Sequence, residues 1–217
     1  MTNQHEYSLV EKIDGELEIN QIMNSESGFL QAIRNKALHS LVELAVPTTR
    51  DESWKYTSVK SLLNHEFKIP SLSLNDNLYL QELQATEIKG LDCYRIVLVN
   101  GQYSAGLSAS LTGKDAESIK FISLQDAFNQ SSFELYFNRR DSSSTEYFSA
   151  MNLAKSDRGL YIEVDKGYTA TKPIYIINIL DSAENIFINS RNLVIVHELG
   201  SIELIETTLN VSSGNAQ

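Results

Sequence analysis

A chain of 217 residues has room for one large domain or two small ones, and for a sizeable core. Apolar residues make up 42% and charged residues 21%, as in an ordinary globular protein, and no apolar run approaches the ~20 residues that span a bilayer. The formal net charge of −10 argues against unassisted nucleic-acid binding, which draws on phosphate neutralisation, and favours a basic partner surface.

Residues 1–24 are polar, with Leu9, Val10, Ile13, Leu17, Ile22 and Met23 at loose helical spacing and Gly15 weakening the middle. Glu6, Glu11, Asp14, Glu16, Glu18 and Glu26 face only Lys12, which reads as a solvated helical face. No basic stretch followed by an apolar one opens the chain, so no signal peptide is expected. From Phe29 the pattern sharpens: Phe29, Ile33, Ala37, Leu41 and Leu44 form a core-facing stripe, broadened by Leu30, Leu38 and Ala45, with His39 on the exposed side. Pro47 stops this helix. Arg50, Glu52, Trp54 and Tyr56 follow, and a packed inter-helix corner is expected to bury both rings. A short helix is expected over residues 58–63, and extended chain near Pro70.

Residues 71–92 are ambiguous in pattern, with alternating Leu72, Leu74 and Leu78, Leu80 suggesting short strands. Residues 94–99 are a strong β run, and Asn100-Gly101 signals a two-residue hairpin spanning about residues 94–108. Residues 119–122 give another strand, after which Ser123 caps a helix with Asp126 at its third position. A loop at 141–144 feeds a helix over about 145–154, with Phe148, Met151 and Leu153 inward. After Gly159 come five short β-branched runs at 160–164, 174–180, 186–188, 193–196 and 202–209. Periodicity alone leaves a sandwich, a barrel or a solenoid open.

Chemistry-bearing motifs are scarce. Residues 101–106 lack the middle glycine of a dinucleotide fingerprint, no Walker A sequence is present, and His5, His39, His65 and His197 fall in no ligand spacing. Cys93 is the only cysteine, which excludes an internal disulfide or a cysteine-based metal site and suits a reducing cytoplasm. It reads as a buried or edge thiol rather than a nucleophile, since nothing near it lowers its pKa. His197 and Glu198 end one β run and Glu203 and Glu206 lie on the next. Alternation sends those two glutamates to opposite faces, so a solvated strand edge is preferred to a metal site. No catalytic, cofactor-binding or metal-binding residue is assigned.

Pro47, Arg50, Glu52, Trp54, Tyr56 and Thr57 match a Pro-x-x-Arg-x-Glu-x-Trp-Lys/Arg-Tyr-Thr segment. Further on come the Ile96–Tyr103 run with Asn100-Gly101, the Phe148–Ala154 run with Asn152, then Gly159, Lys172-Pro173 and Ser190-Arg191. In this order they resemble the SufB/SufD family of iron–sulfur cluster assembly proteins over about residues 30–210, Met151 replacing the more usual leucine. The resemblance implies an α+β fold: a helical region over 1–68, a mixed α/β segment over 69–156, and the first coils of a right-handed parallel β-helix over 157–217. It implies a non-enzymatic cytoplasmic scaffold subunit that supports cluster assembly and iron or sulfur delivery with SufB and the ATPase SufC. The iron–sulfur cluster, ATP and reduced flavin would belong to the whole complex, the cluster-building residues and SufC-binding helices to segments beyond residue 217. A homodimer or heterodimer through the β-helix is expected, its last coil being uncapped. Two alternatives are a generic adaptor and a β-helix carbohydrate-active enzyme, for which Asp157, Glu163, Asp165 and Arg191 are the scattered candidate set.

Overall fold

The computed structural model describes residues 28–65, 67–70, 75–139, 145–181 and 185–211. Two compact units emerge, each drawn from several stretches of chain. Among described residues, the first takes 28–69, 137–157 and 185–189, and the second the remainder. The expected loop at 141–144, the pattern at 1–24, and Leu72 and Leu74 lie outside the described residues.

In the first unit, α1 (Gly28–Glu43) buries Leu30, Arg34, Ala37 and Leu41. The buried stripe is thus centred one residue away from the apolar series expected, leaving Phe29, Ile33 and Leu44 half-buried at its flanks. The cause is Arg34, which is 1% exposed. Its guanidinium donates to the carbonyls of Ala154 (3.2 Å) and Ser156 (2.7 Å) at the end of a second helix, Tyr147–Lys155. A charged residue can occupy a core stripe when it satisfies the orphan carbonyls of a packed helix end. Between these helices in sequence lie a 3-10 turn at Glu52–Trp54 and the one-turn helix α2 (Lys60–Leu63).

The corner at Trp54 is only half of what the sequence predicts. Trp54 is half-buried, its ring centroid 5.2 Å from that of Phe148, but Tyr56 is 92% exposed. Near the end of this unit Lys68 pairs with Ile186 in an isolated parallel bridge, and Phe67 meets Phe187 edge-on at 6.2 Å. The run at 186–188 is therefore a bridge rather than a strand.

The second unit opens with a 3-10 turn, Asp76–Tyr79, that runs into α3 (Leu80–Ala85). The alternating leucines suggest short strands here. The structure instead buries Tyr79 and Leu83, one helical turn apart, and leaves Leu78 and Leu80 about half exposed at 53% and 50%. Strand β1 (Tyr94–Val99) then turns back into β2 (Gln102–Ser104). Both turn residues, Asn100 and Gly101, have positive φ (49° and 79°), as a two-residue hairpin of this hand requires. Next come α4 (Gly113–Ser118) and β3 (Ile119–Ser123). The Ser123 hydroxyl bonds Asp126 twice, accepting from its N–H at 3.1 Å and donating to its carboxylate at 2.6 Å. The helix expected there is a 3-10 turn, Asp126–Asn129, whose N-cap position is Gln125 rather than Ser123, and α5 (Ser131–Tyr136) follows.

Strands β4 (Leu160–Val164), β5 (Ile174–Asp181), β6 (Leu193–Val196) and β7 (Leu204–Val211) complete two sheets, ordered β2-β1-β5-β7 and β3-β4-β6. The later pairings are parallel: Tyr161 opposite Leu193, Thr169 opposite Ser201, Ile174 opposite Leu204. Each residue thus pairs with one 30 to 32 positions later. Tyr94, Ile96, Leu98, Ile119, Leu160, Ile162, Val164, Ile174 and Ile176 from both sheets form one apolar core. The other face of β1 and β5 carries Val97, Val99, Tyr175, Ile177 and Ile179, packed with Tyr79 and Leu83. Residues on both faces of these strands are buried, which explains their near-continuous apolar sequence. The result is a mixed α+β fold, without a closed barrel or solenoid among the described residues.

Candidate functional site

Several of the motif residues singled out from sequence meet at one corner of the second unit. Asn100 holds the turn against β5: its N–H donates to Ile179 O (2.8 Å), and its side-chain carbonyl accepts from Asp181 N–H at 2.9 Å. Gly101 faces Arg158 and Ser190, where an added Cβ would lie 3.0 Å from each side chain. The buried Arg158 guanidinium donates to Asn100 O at 3.3 Å and to Pro70 O at 3.4 Å. Gly159 has φ +135° and sits against the backbone of Arg191, whose N–H donates to Arg158 O. A Cβ there would overlap the Arg191 carbonyl oxygen. Pro173, with no N–H to offer, lies at the other end of β1, just before β5, where its carbonyl accepts from Tyr94 N–H.

The remaining motif residues lie in the first unit. Asn152 donates to Asn189 Oδ1 at 2.7 Å, and Asn189 returns a bond to Met151 O at 3.3 Å. Pro47 is half-buried, while Arg50, Glu52 and Tyr56 are exposed. The motif therefore marks backbone junctions in the second unit and a mostly solvated turn in the first.

Two polar clusters escaped the sequence reading. Asp115, 1% exposed, accepts from Tyr94 OH (2.9 Å), Tyr168 OH (2.9 Å) and Thr171 N–H (3.0 Å), and bonds the Thr171 hydroxyl. Burial alone would raise its pKa, but the bonds from Thr171, Tyr94 and Tyr168 outweigh it and hold the carboxyl below the ordinary range. The second cluster surrounds Glu163 on β4. Its Oε1 accepts from Ser132 Oγ at 2.6 Å and lies 2.8 Å from His197 Nε2; its Oε2 accepts from Tyr161 OH at 2.6 Å. Burial pushes Glu163 up, and the partners Ser132, Tyr161 and His197 bring it below its usual value. Burial, then the Glu163 bond, drives the Tyr161 phenol far above its usual value.

Sequence spacing could not reveal these clusters, because they join positions tens of residues apart across strands and helices. The only local hint is that Tyr161 and Glu163 share one face of a strand. The geometry argues against nucleophilic chemistry. Ser132 gives its proton to Glu163 rather than facing His197, and a carboxylate saturated with donors is a poor base. The cluster clamps α5 onto β4 and the end of β6. Cys93 is half-buried, and burial followed by the Asp92 charge raises its thiol pKa, the opposite of an activated nucleophile. Among the described residues no group of three or more His, Cys, Asp or Glu could hold a metal ion. No helix of the described residues is long and apolar enough to cross a membrane.

Beside Glu163 a cavity of about 500 Å³ opens between β3 and β2 with the segment to Leu111 that follows it, each strand being an edge of its sheet. Tyr103 and Phe121 meet edge-on across it, ring centroids 6.2 Å apart. Its lining carries Glu117, Glu163 and Asp165 but one basic side chain, Lys120, whose ammonium donates to Gln130 Oε1 at 2.7 Å.

In this mixed α+β chain the motif residues lock strands together, and the Asp115 and Glu163 clusters tie separate elements of the second unit to one another. Residues 16–176 match the family model described as the SufBD protein N-terminal region, and the chain belongs to that family. Among curated proteins it is similar to the iron-sulfur cluster assembly protein SufD of Escherichia coli (strain K12). The two are 25% identical over 172 residues, which cover 79% of this chain and 36% of the relative. The chain thus spans little more than a third of that relative's length.

Proposed function

We propose that this chain is the N-terminal part of a non-catalytic scaffold subunit in SUF iron–sulfur cluster assembly, acting in the cytoplasm with SufB and SufC. The observation that carries the reading is the parallel register of 30 to 32 residues between β4 and β6 and between β5 and β7, in a chain of the SufBD family. That register is what the first two coils of a parallel β-helix would make, and a scaffold is the role such a stack would serve. Val194, Val196 and Leu204, opposite Ile162, Val164 and Ile174, remain 40%, 42% and 40% exposed, as residues awaiting a further coil would be. The cluster, ATP and reduced flavin belong to the whole complex in this reading.

A carbohydrate-active enzyme is disfavoured. Glu163 is bound by three side chains near one end of β4, while Arg191 sits beside Gly159 at the other, about four residues or ~13 Å along the strand. The test is co-expression of the full-length gene product with SufB and SufC from the same source. A tagged subunit should bring both down in a stable complex that assembles a cluster. Recovery of the tagged protein alone would refute the reading.

A further inference from the structure

We propose that the slot between β2 and β3 docks an extended, basic segment of a partner protein, which adds as a strand to the free edge of β3. This goes beyond the assembly reading and does not depend on it.

Three observations support the proposal. The first is a backbone edge. Ser118 O accepts from Asp165 N–H, and Leu124 N–H donates to Gly159 O, so the even-numbered residues of β3 face β4. Antiparallel strands alternate, and Phe121 therefore directs both its N–H and its C=O away from β4, toward the slot. No strand of the described residues pairs with that edge. Ile119 N–H is already used, donating to Asp115 O, so within the slot the incoming segment would bond mainly to Phe121. Such an edge is the template for strand addition.

The second observation is shape. The slot runs along Ile119 and Phe121 on one wall and Ser108 and Ser110 on the other, in a volume of about 500 Å³. Small side chains on one wall leave room for a main chain, and the rings of Tyr103 and Phe121 offer an apolar seat for alternate side chains. The third is charge. Glu117 and Asp165 are exposed on the rim with Glu163 beside them, against Lys120 alone. On a chain of net charge −10 this selects a basic occupant and disfavours a second copy.

The probe is a fluorescein-labelled, end-capped peptide of alternating Val and Lys, about eight residues long, enough to span an edge strand. Fluorescence anisotropy with the full chain should show saturable binding, and none for the matching Val/Glu peptide. N-methylating alternate residues on the pairing edge should weaken binding about tenfold while leaving its charge intact. Ser110→Trp, which fills the slot from an exposed position, and Glu117→Lys should each weaken it similarly, with circular dichroism unchanged. Amide exchange at Phe121 should slow when the probe binds. Absence of saturable binding, equal binding of the N-methylated peptide, or indifference to both variants overturns the proposal. So does protection of Phe121 that grows with protein concentration alone, which would give the edge to a second copy.

Discussion

Replacing Gly159 with alanine combines two costs that the same change at Gly167 allows to be told apart. The backbone at Gly159 has φ +135°, which L-residues rarely adopt, and such strain is worth about 1–3 kcal/mol. A new Cβ there would also overlap the Arg191 carbonyl oxygen and lie 3.0 Å from Arg191 N. Both are backbone atoms, fixed by the Arg191 N–H bond to Arg158 O and by the parallel pairing of β4 with β6 just beyond. Neither can move without opening that pairing, so the overlap adds a similar amount and the total reaches roughly 4 kcal/mol or more. Gly167 supplies the control: its φ is +70°, but nothing lies within 4 Å of its added Cβ. Gly167→Ala should therefore cost only about 1 kcal/mol. The assay is urea unfolding followed by far-ultraviolet circular dichroism, with Trp54 fluorescence as the separate reporter of the first unit. The midpoint of the dichroism transition should drop several times further for Gly159→Ala than for Gly167→Ala. Equal shifts would refute the claim that the close approach of two backbones fixes this glycine.

Trp54→Ala should destabilise the first unit by about 1–2 kcal/mol, less than full burial would give, because the ring is only half-covered; calorimetry reads the difference. Arg34→Met should cost roughly 2–4 kcal/mol in urea unfolding, since it strips donors from the Ala154 and Ser156 carbonyls in a buried site, and Arg34→Lys should recover only part of that. Asp115 and Glu163 both have carboxyl pKa values lowered by folding, so their contribution is fully present above the ordinary carboxylate range. It is lost as pH falls through their lowered values. The unfolding midpoint should accordingly fall on acidification, and the slope should shrink in Asp115→Asn; an unchanged slope would count against the hydrogen-bond account of the shift.

Much of the β architecture was legible because it is written locally. Alternating and continuous apolar runs placed β1, β3, β4, β5 and β6 within a residue or two, and Asn100-Gly101 announced the only conformation that pair serves well. Errors arose where tertiary partners overrule local pattern. Arg34 interrupts an apolar stripe, yet packing turns it inward because two helix-end carbonyls await it. Leu78 and Leu80 alternate like a strand, but Tyr79 and Leu83 find the sheet's outer face and impose a helix. Tyr56 carries an aromatic ring to the surface, which composition alone would have buried. Glu163, Ser132 and His197 are unremarkable separately, and only the stacking of strands makes them one cluster.

The parallel pairing of β1 with β5 has a consequence for synthesis. Tyr94 opposes Ile174, a residue added 80 positions later. At about 5–20 residues per second, β1 is synthesised roughly 4–16 s before its neighbour. In that interval its one available partner is β2, reached through the two-residue turn, while its other edge and its apolar faces stand open. Nascent chains arrested once residue 104 has cleared the ribosome should therefore hold a hairpin and attract chaperones, and chains arrested after Asp181 has cleared it should release them.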